Sequence, residues 1–274
     1  MNDPTAPTIV VFDSGMGGLT VLSPIAASLP QARLVYVADE AGFPYGGRSE
    51  QDLLARVGTV IGAAMDRFRP DLVVVACNTA STLVLPQLRA RFTVPIVGTV
   101  PAIKPAAEQS QSRCFAILAT EGTAKRDYTR ALIDQFAKNC RVIIHSPPAL
   151  APRTEAFLRG EGLDEQALLA DIAPCFVNEN GSKTDTIVLG CTHYPLLLEA
   201  MKRLAPWPVT WIDPAPAIAR RVAHLLGPTA SAAQMRAGPN LFVSTGPVDL
   251  TAGLRHALQA YGLADEAIVH LELV

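Results

Sequence analysis

Asp71-Leu72-Val73-Val74-Val75-Ala76-Cys77-Asn78-Thr79 returns in kind as Asp185-Thr186-Ile187-Val188-Leu189-Gly190-Cys191-Thr192-His193. In both stretches an Asp opens an apolar run, a Cys follows six positions later behind a small residue, and polar residues come next. An apolar, β-branched run of this length reads as a buried strand of a parallel sheet. Each Cys therefore stands at the carboxyl end of a strand, where open α/β sheets place their ligands. Two equivalent thiols from two equivalent units suggest one site with a sulfur on each side. That arrangement suits moving a proton across a tetrahedral carbon.

Outward from these stretches, strand-like runs alternate with helix-like ones. Ile9–Phe12, Leu34–Val37, Leu72–Ala76 and Ile96–Val97 form one set of strands, and Phe115–Leu118, Val142–Ile144 and Ile187–Leu189 a second. Helical periodicity and composition mark Gln51–Phe68, Lys125–Ala137, Glu165–Phe176 and Leu196–Leu204. The alternation predicts an α/β fold with mostly parallel sheets. Ile9–Gly15 and Phe115–Gly122 each run from a strand into a small, polar, glycine-bearing turn, so two similar lobes related by a pseudo-twofold are expected, with the active site between them. Residues 1–98 with about 208–274 form the first lobe on this reading, and 99–207 the second. Pro206-Trp207-Pro208 punctuates the return, before the run Val209–Ile212. The strand-like tail segments, Asn240–Ser244 and Ile268–Leu273, carry no mark of which lobe they join.

The 274 residues allow one or two domains with ample core. Apolar residues make up 49% and the mean hydropathy is +0.25, which favours a compact globule over disorder. A net charge of −2 argues against a nucleic-acid or anionic-membrane surface. The N-terminus lacks the basic stretch of a secretory signal, and the apolar runs are too short to span a bilayer. The five cysteines, 77, 114, 140, 175 and 191, contain no Cys-x-x-Cys pair, and an odd number fits a disulfide framework poorly. A reducing cytoplasm is expected.

Phe12-Asp13-Ser14-Gly15-Met16-Gly17-Gly18 follows a strand, and its glycines let backbone N–H groups approach a ligand. It is neither the dinucleotide fingerprint nor a P-loop. Asp13 would repel phosphate and suits an ammonium or a proton relay. Cys77 and Cys191 differ from the other cysteines because Asn78, Thr79, Thr192 and His193 surround them with donors for a carboxylate. A lone Cys on an apolar strand is otherwise an inert small hydrophobe, and a lone His a satisfied structural one. Zinc sites use close-spaced ligand pairs, and only Cys191 and His193 are close, which argues against a metal. Ala41–Ser49 is a Gly/Pro-rich loop after a strand, a candidate cleft wall carrying Tyr45, Gly46 and Arg48.

Taken together, Phe12-Asp13-Ser14-Gly15-x-Gly17-Gly18-Leu19, Asp39 with Pro44-Tyr45-Gly46, Ala76-Cys77-Asn78-Thr79-Ala80 and Leu189-Gly190-Cys191-Thr192-His193-Tyr194-Pro195-Leu196 resemble the glutamate racemases of the aspartate/glutamate racemase family. The resemblance runs in order from Ile9 to about Val222. It implies interconversion of L- and D-glutamate for peptidoglycan, without cofactor or metal, by a homodimer with no nucleic-acid or membrane partner. It makes Cys77 and Cys191 the two acid/base thiols, with Asp13 assisting the first and His193 the second. Asp13, Ser14, Tyr45, Gly46, Asn78, Thr79, Thr120, Thr123, Thr192 and His193 match substrate-binding positions, and Glu155 matches loosely a glutamate that approaches the histidine.

Two positions depart from the family pattern. Asp213-Pro214-Ala215 stands where Asp-Ser is common, and Glu121 where Pro or Lys is expected. An aspartate or hydantoin racemase of the same fold, and a non-catalytic small-molecule or protein-binding module, are the alternatives. Replacing Cys114, Cys140 or Cys175 with Ala is expected to leave turnover intact apart from general destabilisation; parallel racemization and thermal-melt measurements on the three variants test this.

Overall fold

A computed structural model describes residues 6–179, 181–227, 238–263 and 268–273. In chain order the first lobe opens with β1 (Thr8–Asp13), α1 (Leu19–Ser28), β2 (Arg33–Ala38), α2 (Glu50–Phe68), β3 (Leu72–Val75), α3 (Asn78–Arg91) and β4 (Ile96–Gly98). The chain then passes through α4 (Ile103–Gln109), β5 (Cys114–Ala119), the short α5 (Glu121–Ala124), α6 (Asp127–Phe136), β6 (Arg141–His145), α7 (Leu150–Leu158) and α8 (Glu165–Ile172). A small antiparallel hairpin, β7 (Asn178–Glu179) and β8 (Ser182–Lys183), precedes β9 (Thr186–Gly190), α9 (Leu198–Leu204), β10 (Thr210–Ile212) and α10 (Ala215–Leu226). β11 (Leu241–Ser244), a helix over Ala252–Ala260 and β12 (Ile268–His270) follow.

Two parallel sheets result, with strand orders β12-β11-β2-β1-β3-β4 and β10-β9-β5-β6. Each is covered on both faces, which is why its strands are apolar throughout rather than alternating. Along β1, Ile9 and Val11 pack with α1 and α10 residues such as Leu22 and Ile218, while Val10 and Phe12 pack with Leu53 and Ile61 of α2. In the second lobe Ala116 and Leu118 of β5 face α7 and α8, and Phe115 and Ile117 face α4.

The pseudo-symmetry is visible strand by strand: β2-β1-β3-β4 corresponds to β6-β5-β9-β10. The repeated Asp has a structural job in both. Asp71 Oδ2 accepts from Thr8 N at 2.8 Å, and Asp185 Oδ2 accepts from Ser112 N at 2.7 Å, each tying the start of one strand to the entry of its neighbour. Asp185 also accepts from Ser110 Oγ and Thr186 Oγ1.

This correspondence corrects one expectation. Val209–Ile212 does not begin the return to the first lobe: Thr210–Ile212 pairs with β9, as β4 pairs with β3. The return comes after Ile212, and α10 then packs on α1 through Ala215, Ile218, Ala219 and Val222. The tail strands join the first sheet beside β2.

Other differences have local causes. The helix expected over Lys125–Ala137 is broken because Arg126 is extended (φ −67°, ψ 137°), separating α5 from α6. The segment expected over Glu165–Phe176 tightens to a 3₁₀ turn at Ala173–Cys175, around Pro174. The start of the one over Leu196–Leu204 is likewise a 3₁₀ turn, Tyr194–Leu197. Helix α3 was not expected, since Pro86 interrupts a Ser/Thr-rich stretch; it forms because Asn78, Thr79, Val84 and Leu88 bury one face. Pro214 costs nothing visible: it caps α10, where Asp213 Oδ1 accepts from Ala215 N at 2.9 Å and a lost proline donor matters least.

Burial pulls Asp185 upward, but the N–H of Ser112 and the hydroxyls of Ser110, Thr186 and Ser112 outweigh it, leaving its carboxyl below the ordinary value. Its contribution is present at neutral pH and fades as the carboxyl protonates in acid. Asp185→Ala is expected to cost about 1.5–3 kcal/mol at pH 7, the range for hydrogen bonds to a charged group. The loss should be much smaller near pH 3, as read by urea unfolding at the two pH values.

Candidate active site

In each sheet the connections from one central strand diverge to opposite sides, between β1 and β3 in the first and between β5 and β9 in the second. Such switch points open a crevice at the carboxyl ends of the strands. Asp13 ends β1 and Cys77 follows β3; Thr120 follows β5 and Cys191 follows β9. The two crevices meet in a cavity of about 230 Å³ lined by Ser14, Tyr45, Gly46, Cys77, Asn78, Thr79, Thr120, Cys191, Thr192 and His193, with Phe43, Tyr194, Glu121 and prolines completing the wall. This is near the small end of ordinary ligand pockets, ~300–1,000 Å³.

The lobes are joined at this level by hydrogen bonds. Thr192 Oγ1 donates to Asp13 Oδ1 at 3.1 Å, Thr20 Oγ1 donates to Thr192 O at 3.0 Å, and the hydroxyls of Thr79 and Thr120 lie 2.7 Å apart. Met16 N donates to Glu155 Oε1 at 2.6 Å. The glycines of the first loop permit this approach: a Cβ on Gly17 would overlap His193 and Thr192, and one on Gly15 would overlap Glu155.

The surroundings of the two thiols differ. Cys77 Sγ lies 3.6 Å from Ser14 Oγ, at the N-terminus of α3. Burial, then the charge of Asp13, pushes this thiol up to about 12, so it rests protonated. Asp13 itself is buried and pushed up to about 6, chiefly by desolvation, against the opposing pull of His193, Gly15 N and Thr192. Cys191 Sγ lies 3.7 Å from His193 Nδ1, and His193 Nε2 lies 2.7 Å from Glu155 Oε1. Burial alone would lower the imidazole, but Cys191 and Glu155 together outweigh it and hold His193 well above its ordinary value. Glu155 is in turn brought below its ordinary value, despite its burial, by His193, Met16 N and Arg159. One thiol is neutral in an acidic setting, and the other faces an imidazolium.

Ten of the expected positions lie on the cavity wall and two do not. Asp13 stands behind it, fully buried, reaching the wall through Thr192. Thr123 sits behind Thr120, 3.1 Å away, and its backbone N–H donates to that hydroxyl. Tyr45 lines the cavity, but its hydroxyl donates to Asp39, which also accepts from Arg56 Nε and Nη2 at 2.6 and 2.7 Å and from Thr245 Oγ1 at 2.5 Å. The Asn78 carboxamide oxygen is buried with no hydrogen-bond partner among the described residues. Glu121 is at the cavity mouth, in the first turn of α5, where it pairs with Lys125.

Glu155 is firmly part of the site. Its one signal in the sequence was the loose match to a glutamate that approaches the histidine; α7, which was not among the expected helices, buries it beside Leu150, Ala151 and Thr154. Glu40, Arg159, Arg56 and Thr245 carried no signal in the sequence; Asp39 stood there only as part of the pattern with Pro44-Tyr45-Gly46.

Comparisons with known proteins agree with this architecture. The family model described as Asp/Glu/Hydantoin racemase matches residues 20–222. A glutamate racemase of Brucella anthropi is 49% identical over 256 residues, covering 93% of this chain and 92% of the relative. The crystal structure of Escherichia coli glutamate racemase in complex with L-glutamate and the activator UDP-MurNAc-ala has a TM-score of 0.90 at 40% identity, covering 98% of this chain and 99% of that one. Thermus thermophilus glutamate racemase, in complex with beta-chloro-D-alanine, has a TM-score of 0.76 at 30% identity, with 99% of both chains covered.

Because folding raises the Asp13 carboxyl from 3.8 to about 6, the native state binds more protons than the unfolded chain between those values, and its stability falls as pH rises through them. Asp13→Asn removes that penalty. It is expected to stabilise the protein at pH 8 by up to about 3 kcal/mol, and the gain should vanish below pH 4. Urea midpoints across pH 4–8 read the difference.

Proposed function

The chain belongs to the Asp/Glu/hydantoin racemase family, and from that premise we propose that it interconverts L- and D-glutamate by moving the Cα proton between Cys191 and Cys77. It is an amino-acid racemase, an isomerase. The observation that carries the two-base reading is that both sulfurs line one small cavity, each at the switch point of its own sheet. The identity of the substrate is supported by the Brucella and Escherichia relatives, the second of which was solved with L-glutamate.

On this reading L-glutamate gives its Cα proton to the Cys191 sulfur, which has His193 Nδ1 3.7 Å away as its own proton partner. The neutral Cys77 thiol delivers its own proton to the opposite face. In reverse, Cys77 first passes its proton to the Asp13 carboxylate, a stronger base than an exposed one. The thiolate then abstracts from D-glutamate, and the Cys191 thiol donates. The carbanion is stabilised at the α-carboxylate by N–H groups at Asn78 and Thr192 and by the Thr192 hydroxyl; each preorganised donor of this type is worth about 2.7–4 kcal/mol. The unpartnered Asn78 oxygen suits the substrate ammonium.

Gly46 N–H and the Thr79–Thr120 hydroxyls are the candidates for the γ-carboxylate. The hydroxyl of Tyr45, a position matched to substrate binding by the resemblance, is instead engaged by Asp39. Tyr45 is then a wall and not a donor. An aspartate racemase is the alternative within the family. Supply of D-glutamate to peptidoglycan, a cytoplasmic location and a homodimer complete the proposal; five free cysteines support a reducing compartment.

Purified protein incubated with either enantiomer of glutamate in D₂O, without added cofactor or metal, is expected to place deuterium at Cα and yield the racemate. Loss of activity on EDTA dialysis with return on adding zinc would overturn the mechanism. Cys77→Ala and Cys191→Ala should each lower net racemization by at least the ~10²–10⁴-fold of one acid–base group; a near-parental rate in either defeats the two-base reading. In the unaltered enzyme kcat/KM for glutamate should exceed that for aspartate, and the reverse order would reassign the substrate.

A further inference from the structure

The Glu155–His193 pair is not the end of its chain of charges. Arg159, at the C-terminal cap of α7, lies with Nη2 3.8 Å from Glu155 Oε2 and 2.8 Å from Glu40 Oε2. Glu40 comes from the other lobe, in the 3₁₀ turn after β2, and only 13% of its side chain is exposed. Four groups of alternating sign thus run Glu40, Arg159, Glu155, His193, from the first lobe into the second and on to Cys191. Arg159 is held from behind, since Thr251 Oγ1 donates to its carbonyl at 2.7 Å.

Glu155 uses only one oxygen well. Oε1 takes both Met16 N and His193 Nε2, while Oε2 is buried with no hydrogen-bond partner among the described residues. The guanidinium 3.8 Å from that oxygen is already turned toward Glu40. We propose that Glu40 is a positioning residue: by engaging Arg159 it keeps the Glu155 carboxylate committed to His193, and so supports the base on the Cys191 side alone. The proposal rests on the two-cysteine reading given above.

The effect on His193 has one sign. Without the Glu40 charge, Arg159 is free to close on Glu155 Oε2 and share its negative charge. The imidazolium then loses part of its partner, and the direct attraction of Glu40 for His193 is lost as well. Both effects make His193 easier to deprotonate. The groups facing Glu40 are Arg159, Glu155, His193 and Tyr36; burial with the Glu155 charge pushes Glu40 up to about 7, so its charge acts in full only above that pH, and the measurements are made at pH 8 and above. Cys77 and Asp13 stand on the other half of the site, with Ser14 and Thr192 as partners; Asp13 feels His193 and Glu155 only through space, so that half should respond less.

The test uses full-length protein carrying Glu40→Gln. NMR titration of ¹⁵N-histidine-labelled protein, with His193 assigned by its loss in His193→Asn, should show the His193 midpoint displaced to lower pH, while Glu40→Asp, which keeps the charge, should leave it near the parental position. An unmoved midpoint in Glu40→Gln overturns the proposal whatever the catalytic result. The second arm measures deuterium wash-in at Cα of glutamate in single-thiol backgrounds. In Cys77→Ala, adding Glu40→Gln should slow wash-in by about tenfold, about 1.4 kcal/mol on the exchange barrier. In Cys191→Ala the change should be smaller, less than about twofold, since Asp13 is hydrogen-bonded to Gly15 N and Thr192 and reaches the chain of charges through space only. Equal slowing in both backgrounds marks a merely structural role and defeats the proposal. Absence of wash-in in both backgrounds counts against the two-cysteine reading, and the NMR arm then decides the placement of Glu40 by itself.

Discussion

A single carboxylate oxygen, Glu155 Oε1, is the point on which the site depends. It lies between a backbone N–H of one lobe, Met16 at 2.6 Å, and an imidazole of the other, His193 at 2.7 Å. A buried carboxylate cannot stay charged without such partners. Its two donors are therefore a mechanical tie between the lobes and an electrostatic bias on the imidazole at once. Anything that separates the lobes also removes a partner from the charge that His193 needs. Domain approach and the protonation state beside Cys191 are one coupled quantity.

The first loop exists to permit that approach. Gly15 and Gly17 bring backbone where a side chain would collide with Glu155 and His193. Close backbone approach, and not left-handed geometry, is the reason for glycine here, since neither residue has a positive φ. The same loop carries Ser14 to Cys77 and places Asp13 under Thr192. One short segment therefore touches both thiol environments.

The pseudo-twofold makes the two halves alike in backbone and unlike in charge. β3 and β9 deliver their cysteines to the same place in their sheets, and Asp71 and Asp185 clamp the same strand entries. The segments immediately after the two cysteines differ. Cys77 begins a helix, backed by a buried Asp13, whereas Cys191 begins a turn that brings His193 alongside it. On the proposed two-base reading, that inequality lets one sulfur accept while the other donates, and symmetric folding with asymmetric second partners supplies it.

The sequence alone determined the strands, the parallel α/β class, the two-lobe plan and the meeting of two cysteines, because these arise from local apolar runs and from a repeated Asp-to-Cys spacing. It also holds a clue to β10: Pro208-Val209 before that strand repeats Pro95-Ile96 at β4, a likeness that fits Thr210–Ile212 to the second sheet. Helix α3 was hidden because Ser, Thr and Pro86 weaken its periodicity, and only packing against the first sheet explains it. Tertiary structure alone decided that the Tyr45 hydroxyl belongs to Asp39, that Asp13 and Thr123 stand behind the wall, and that Glu40 and Arg159 join Glu155. Those contacts bridge residues 4 to 179 positions apart in the chain. Their energies come from burial and from the distance between charges, neither of which a linear pattern of residue types encodes.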